Sequence, residues 1–499
     1  MTSAEHAFRR IDEGSLPGGM GSAVIALVTI LLMGLFVYLS QMLPLNEPIA
    51  LALILPAIGA LTLYLVWHNE RIWVYLALMA HLLMMIDQAD SGVGLPEVAF
   101  GSLVLMGLAI WFIKEVLVHR RRIVLTGFDL LLLMFIIGSS IVSLIASQLN
   151  DGDLVNYLKE WMSMLDLLFY FPLRKHMERR EDVVMILVAF ALLSLANGTY
   201  AFLNYKQRIA EAVYQWQVGH SRSNVNETTS MGLMIMCATV FAASRTLRIS
   251  VLAMMGVAAG ALFVVISLSR GPIVSGICGI FLMMALIPFR QSRRVLVALV
   301  FALAVGAVVG YIFFAQYIDM LSSALAERLI SVASAGSDFS IKSRVTESKV
   351  LLEQYIATSP LLGTGYGVFF RFFDPITATT TETTFVHNGY IWSMFKFGIP
   401  MALLLLGVIL YPVGRLLLVG PRRNDRFNRA LMAGTVAYII ASLVVHMTSN
   451  LFGQISTILN FTICWGVLDY VVRSSGRTLP GSVPVPDVTV PRRIGPGAP

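Results

Sequence analysis

NGYIWSMFKFGIPMALLLLGVILYP, residues 388–412, holds one charged side chain, Lys396, in twenty-five positions. A helix needs about 20 mostly apolar residues to cross the hydrocarbon of a bilayer. Comparable runs fall near 22–43, 48–67, 71–86, 97–118, 128–149, 155–172, 182–203, 228–244, 250–268, 272–289, 295–316, 430–448 and 452–472, which makes fourteen in all. The run at 155–172 is the weakest, because it carries Lys159, Glu160 and Asp166. The spacing predicts an all-α polytopic membrane protein of about fourteen transmembrane helices, within a range of 12–14. Composition agrees: 57% of the 499 residues are hydrophobic and 13% charged, where soluble domains are about 25% charged. Long unbroken runs exclude an outer-membrane barrel, whose strands alternate.

The net charge of +7 reads as topology rather than as nucleic-acid binding. Basic residues cluster in alternate connections: Arg120–Arg122, Arg174–Arg180, Arg245 with Arg248, Arg290–Arg294 and Arg415–Arg429. The intervening short connections near 44–47, 87–96 and 149–154 carry no Lys or Arg. This alternation predicts both termini in the cytoplasm, and it retains 155–172 as a span, since removing it would place Arg174–Arg180 outside. The predicted organisation is a cytoplasmic arm (1–21), spans 1–11 (22–316), a large external loop (317–387), spans 12–14 (388–473) and a disordered cytoplasmic tail (474–499). The first run is too long for a signal-peptide core and reads as an uncleaved span. Cys237, Cys278 and Cys464 all lie inside predicted spans and read as packing residues.

A loop of about 70 residues is functional more often than not. This one predicts two helices, one over about 320–334 with Leu321, Leu325 and Leu329 on one face, and one from Ser340 to about Thr358, stopped by Ser359-Pro360. Gly363, Gly365 and Gly367 then predict a flexible turn, followed by the threonine-rich TATTTETT and by His387 at the mouth of the 388–412 span.

Several residues at external span mouths have two readings. Arg270, in SLSRGP (267–272), either snorkels to headgroups or captures an anion with the help of the following helix N-terminus, Gly271 allowing close approach. Arg344, with Glu347 and Lys349 nearby, is either a solvated surface residue or part of the same cationic pocket. Arg222, in HSRSNVNE (220–227) beside Asn226, stands likewise. Histidine changes charge near neutral pH, so His387 is either interfacial or a general base. His81 and His446 read as structural. Asp151-Gly152-Asp153 reads as a turn, and no third metal ligand accompanies it.

Together these motifs resemble the O-antigen ligase and O-antigen polymerase superfamily of bacterial membrane glycosyltransferases. The resemblance covers about 222–400. It rests on the Ser267–Gly271 turn, the loop helix opening with Arg344, SPLLGTGYG (359–367), and His387-Asn388 followed after nine residues by Gly398. Arg222 with Asn226 is similar to an upstream Arg…Asn loop. One departure is Met401, where a second glycine is common, and it bears on helix packing. The resemblance implies a metal-independent, inverting transfer of a glycan from an undecaprenyl-diphosphate donor at the periplasmic face of the inner membrane, with no cofactor. It implies that Arg270 and Arg344, with Arg222, hold the diphosphate. It also implies that His387, supported by Asn388, acts on the acceptor hydroxyl of lipid A core or of a growing polysaccharide. A ligase is the leading reading and an O-antigen or exopolysaccharide polymerase the alternative. A lipid-linked oligosaccharide flippase is the competing class. It would line a central cavity with ionisable residues, whereas the mid-span candidates here are few: Lys159, Glu160, Asp166 and Lys396.

Overall fold

The computed structural model describes residues 47–81, 99–210, 227–244, 246–267, 269–314, 339–375, 378–419, 425–453 and 455–475. In chain order the helices are α1 (Glu47–His68), α2 (Glu70–Ala80), α3 (Gly101–Val118), α4 (Gly127–Leu149), α5 (Leu154–Leu165), α6 (Tyr170–His176), α7 (Arg180–Ala210), α8 (Glu227–Ala243), α9 (Leu247–Ile266), α10 (Arg270–Leu286) and α11 (Phe289–Phe314). There follow α12 (Phe339–Val350), strands β1 (Phe370–Asp374) and β2 (Thr379–Thr383), α13 (Gly389–Val419), α14 (Arg426–Val445) and α15 (Ile455–Ser474).

Among the described residues, α3, α4, α7, α9, α11, α13 and α14 are long and apolar enough to cross a membrane. The predicted spans at 48–67, 71–86, 228–244, 272–289 and 452–472 are helical in their described parts, as α1, α2, α8, α10 and α15, and 22–43 lies outside the described residues. The run at 155–172 is not one helix. It breaks after Leu165 into a 3-10 turn over Asp166–Phe169 and then α6. At the break, buried Asp166 takes a 2.9 Å contact from His81 Nε2, which explains both the charge inside an apolar run and the structural role of His81.

Helix α4 shows how the bundle is turned outward. Its N-terminus is closed by a capping box between Thr126 and Asp129. Beyond it, Leu130, Met134, Ile137, Ile141 and Leu144 are exposed at helical spacing, while Ser139, Ser143 and Ser147 are buried. An apolar stripe facing out and hydroxyls facing in is the reverse of a soluble helix, and it suits a lipid surround. At the centre, α8 packs on α7, α9, α10, α14 and α15. The approach of α8 to α14 is close because Gly434 faces Thr239, and a Cβ there would overlap that side chain.

Helix α14 fixes the two ends of the molecule. Its last residues lie against the start of α13, where Gly389 N–H donates to the His446 carbonyl (2.8 Å) and Tyr390 Oη–H to the Leu443 carbonyl (2.8 Å). Its first residues lie against the arginine-rich connections, with the Arg180 guanidinium stacked 4.2 Å over the Phe427 ring. Arg473 reaches the Met177 carbonyl (3.1 Å) at the same end. Basic segments that the positive-inside pattern groups together are therefore neighbours in space. Twenty residues of α14 at about 1.5 Å each separate the two ends by roughly 30 Å.

Between α11 and α13 the structure holds more than two loop helices. The second predicted helix is present as α12, continued by a π-helical turn over Leu351–Ile356; the first, at 320–334, lies outside the described residues. The threonine-rich stretch forms a strand. β1 and β2 make an antiparallel hairpin in which Arg371 faces Glu382 and pairs with it at 3.1 Å. Ser343 Oγ–H, donated to Asp374 (2.7 Å), ties α12 to this hairpin.

Candidate active site

The site begins at a break in α13. Phe397 and Gly398 leave helical geometry, Gly398 at φ +77°, so the carbonyls of the preceding turn lose their helical partners. The 359–367 segment supplies replacements. Thr364 N–H donates to the Phe395 carbonyl (2.7 Å), Gly365 N–H to the Lys396 carbonyl (3.0 Å), and Ile399 N–H to the Pro360 carbonyl (2.8 Å). Gly363 and Gly398 meet backbone to backbone: a Cβ on Gly363 would stand 2.6 Å from the Gly398 nitrogen. The predicted flexible turn is thus a clamp, its glycines at φ +67°, +94° and +72° because the backbones touch. Beneath it, Lys396 Nζ pairs with Glu160 at 3.0 Å, while Glu160 accepts the Gly367 N–H (2.9 Å). Lys396 is fully buried, and the pair pins α5, α13 and the glycine segment together.

Met401 fits this packing. Its sulfur lies where a Cβ on Gly138 of α4 would come within 3.2 Å, so the missing glycine on α13 is compensated by one on α4.

The break and clamp fix the start of α13. Asn388 is its N-cap, the side-chain oxygen accepting from Tyr390 N–H (3.0 Å) and Ile391 N–H (3.2 Å). Gly389 packs so closely on the His446 ring that any side chain would overlap it. His446 is buried and stacks edge-on against Tyr390 and Phe452, as a structural histidine does.

His387 stands immediately before this cap with its side chain 40% exposed. Its Nδ1 lies 2.6 Å from Glu347 Oε2, and its backbone N–H donates to Glu347 Oε1 at 2.7 Å. An ionised carboxylate only accepts, so a neutral ring held by this contact carries its proton on Nδ1 and its lone pair on Nε2. Glu347 itself is 1% exposed. The sequence reading assigned Glu347 no role of its own, and the structure buries it against His387. Ser343, Glu347 and Leu351 are all buried and recur every four residues, and this inward row was the readable signal.

Arg344 precedes Glu347 by one turn of α12 and is half-buried. Arg270 opens α10, where no side-chain cap closes the first turn. Gly271 packs against Thr448, a Cβ there standing 2.8 Å from the hydroxyl, so the start of α10 lies beside the chain that leaves α14 at His446. The start of α10, the end of α14 and the mouth of α13 therefore form one end of the bundle, with α12 joined through Glu347 and His387. Arg222 and Asn226 lie outside the described residues. Asp151 occupies a left-handed turn (φ +51°), and Asp153 caps α5 by accepting from Asn156 N–H (2.8 Å).

Residues 255–406 match the O-antigen ligase family. The matched stretch contains Arg270, Gly271, Arg344, Glu347, His387, Asn388 and Gly398, and it excludes Arg222, Asn226 and Glu160. The family points to a membrane glycosyltransferase of ligase or polymerase type. The chain matches no curated protein.

Proposed function

We propose that this ligase-family chain transfers a glycan from undecaprenyl diphosphate to an acceptor hydroxyl, in one inverting displacement without a metal ion. The observation that carries the reading is the contact of His387 Nδ1 with Glu347 at 2.6 Å. That contact orients Nε2 as the proton acceptor and stabilises the imidazolium once it forms. Nε2 takes the proton of the acceptor hydroxyl, the hydroxyl oxygen bonds to the anomeric carbon, and the diphosphate leaves with the electron pair. Arg270 and Arg344 neutralise the charge that develops on the diphosphate, and the N-terminus of α10 adds a positive dipole end. Arg222 contributes a further contact from the preceding loop, and Asn388 and Gly398 hold the helix mouth.

The acceptor is lipid A core in a ligase or a growing chain in a polymerase, and the ligase is our leading assignment. The site faces the periplasm in the inner membrane, where flipped lipid-linked glycans are presented. The structured 339–387 segment supports an enzyme over a flippase, and the buried Lys396–Glu160 pair is committed to holding the fold.

The test is NMR of the new glycosidic bond formed by purified protein from a lipid-diphosphate glycan of known anomeric configuration, in the presence of EDTA. Inversion at an undiminished rate is expected. Retention, or loss of activity with EDTA, would overturn the proposal. In cells lacking the gene, complete polymer stranded on the carrier lipid indicates a ligase, and single repeat units indicate a polymerase.

A further inference from the structure

The end of the bundle opposite His387 holds a cavity of about 560 Å³ lined by Arg180, Arg290, Arg294, Arg426, Asp425 and Gln291, among others. Four arginines and one aspartate line it, and the aspartate carboxylate is occupied as the N-cap of α14, accepting from Phe427 and Asn428 N–H groups at 3.1 Å each. The cavity gathers the N-termini of α7, α11 and α14, each a positive dipole end, and the C-terminal ends of α8 (Ala242–Ser244) and α15 (Ser474) complete its wall, so the excess positive charge comes from the arginines. A topological excess of arginine explains charge on this face. It does not explain why the charges line a concavity.

The cavity is built rather than incidental. Gln291 is 8% exposed and forms part of its wall, its Nε2–H donating to the Ala242 and Arg426 carbonyls at 3.3 Å each. Its Oε1 is buried with no hydrogen-bond partner among the described residues. Phe427 holds the Arg180 guanidinium at 4.2 Å, and the Ser244 carbonyl accepts from Arg294 at 3.3 Å, so two of the four charges are positioned by the fold. None of these groups belongs to the proposed transfer site, which lies roughly 30 Å away along α14.

Two observations identify the occupant. Arginine forks around a concavity, backed by helix N-termini, match a phosphate group. Arg290 and Arg294 sit on α11, only 22% of whose apolar window is buried, the least among the seven membrane-length helices of the described residues. Directly along α11 from these arginines, Val297, Val300, Phe301 and Leu303 are exposed. A headgroup on the arginines would lay its acyl chains along that surface. A soluble phosphate would make no use of it.

We propose that this cavity binds the phosphate of an anionic phospholipid drawn from the leaflet opposite the transfer site. The test is native mass spectrometry of the full chain released from vesicles of phosphatidylcholine doped with phosphatidylglycerol. Wild type should retain phosphatidylglycerol over phosphatidylcholine by about tenfold or more. R290Q/R294Q should lose that preference while transferring glycan at the wild-type rate in detergent, and R290K/R294K should keep most of it. Inorganic diphosphate that displaces the lipid at millimolar concentration would assign the same phosphate chemistry to a soluble ligand and overturn the lipid source. Equal retention of both lipids by wild type, or a full preference in R290Q/R294Q, would overturn the site itself.

Discussion

Replacing Glu347 with Gln keeps its shape and removes the charge that orients His387. The wild-type carboxylate accepts twice, from the His387 backbone N–H at 2.7 Å and at Nδ1 at 2.6 Å. A glutamine side chain has one acceptor oxygen. If that oxygen keeps the backbone N–H, its NH₂ group faces the ring, which then turns Nδ1 into the acceptor and places the proton on Nε2. That tautomer cannot take a proton from an acceptor hydroxyl. A hydrogen bond to a charged group contributes about 1.5–3 kcal/mol, and each 1.36 kcal/mol is a factor of ten in rate. E347Q should therefore lower kcat by about 10- to 150-fold with KM for the lipid-linked donor little changed. The assay is steady-state transfer by purified protein in detergent, with thermal unfolding measured on the same preparation. If His387 and Glu347 act as one unit, H387A/E347Q will be no slower than H387A. A rate for E347Q within twofold of wild type, or additive losses in the double variant, would refute the orienting role.

Gly398→Ala should lower the melting temperature, because φ +77° strains an L-residue and the new methyl would run into the Leu361 carbonyl; backbone strain of this kind costs about 1–3 kcal/mol, and an unchanged melt would count against the clamp. Lys396→Met leaves Glu160 facing an apolar partner and should cost about 3–5 kcal/mol, whereas K396M/E160Q should recover most of the loss in a denaturation series. Glu70 supplies a pH dependence. Burial raises its carboxyl, but hydrogen bonds from His176 and Lys175 outweigh that and hold it well below its ordinary value of 4.5. A depressed carboxylate contributes stability that is complete above the unfolded value and is lost as pH falls below about 4.5 toward the folded one. E70Q should flatten the acid limb of a melting-temperature profile; an identical limb in the variant would show that the cluster with Lys175 and Glu115 does not govern acid stability.

What the sequence made legible were features carried by local pattern. Apolar run length gives the membrane helices, Asn388 reads as the start of α13, and the spacing from His387 to Gly398 marks the family. Glu347 was obscured by the polarity of α12, whose Lys342, Arg344 and Lys349 look solvated until the inward row of Ser343, Glu347 and Leu351 is followed. Pairings over long separations left no trace in local pattern: Glu160 with Lys396, His81 with Asp166, and Met401 with Gly138. Each sets one residue against a helix far away in the chain. The glycines of 359–367 announced unusual backbone but not its cause, since a flexible turn and a tight clamp both require glycine. The hairpin was missed for a related reason. The run FRFFD alternates buried and exposed residues, but TTTET offers its partner no apolar face to read.

Single-turnover transfer by H387A, with saturating lipid-linked donor and acceptor, tests the central claim most directly. A general base contributes about 10²- to 10⁴-fold, so the rate should fall by at least about a hundredfold while the protein binds donor and melts as wild type does. A chemical step that proceeds at the wild-type rate in H387A would contradict the account.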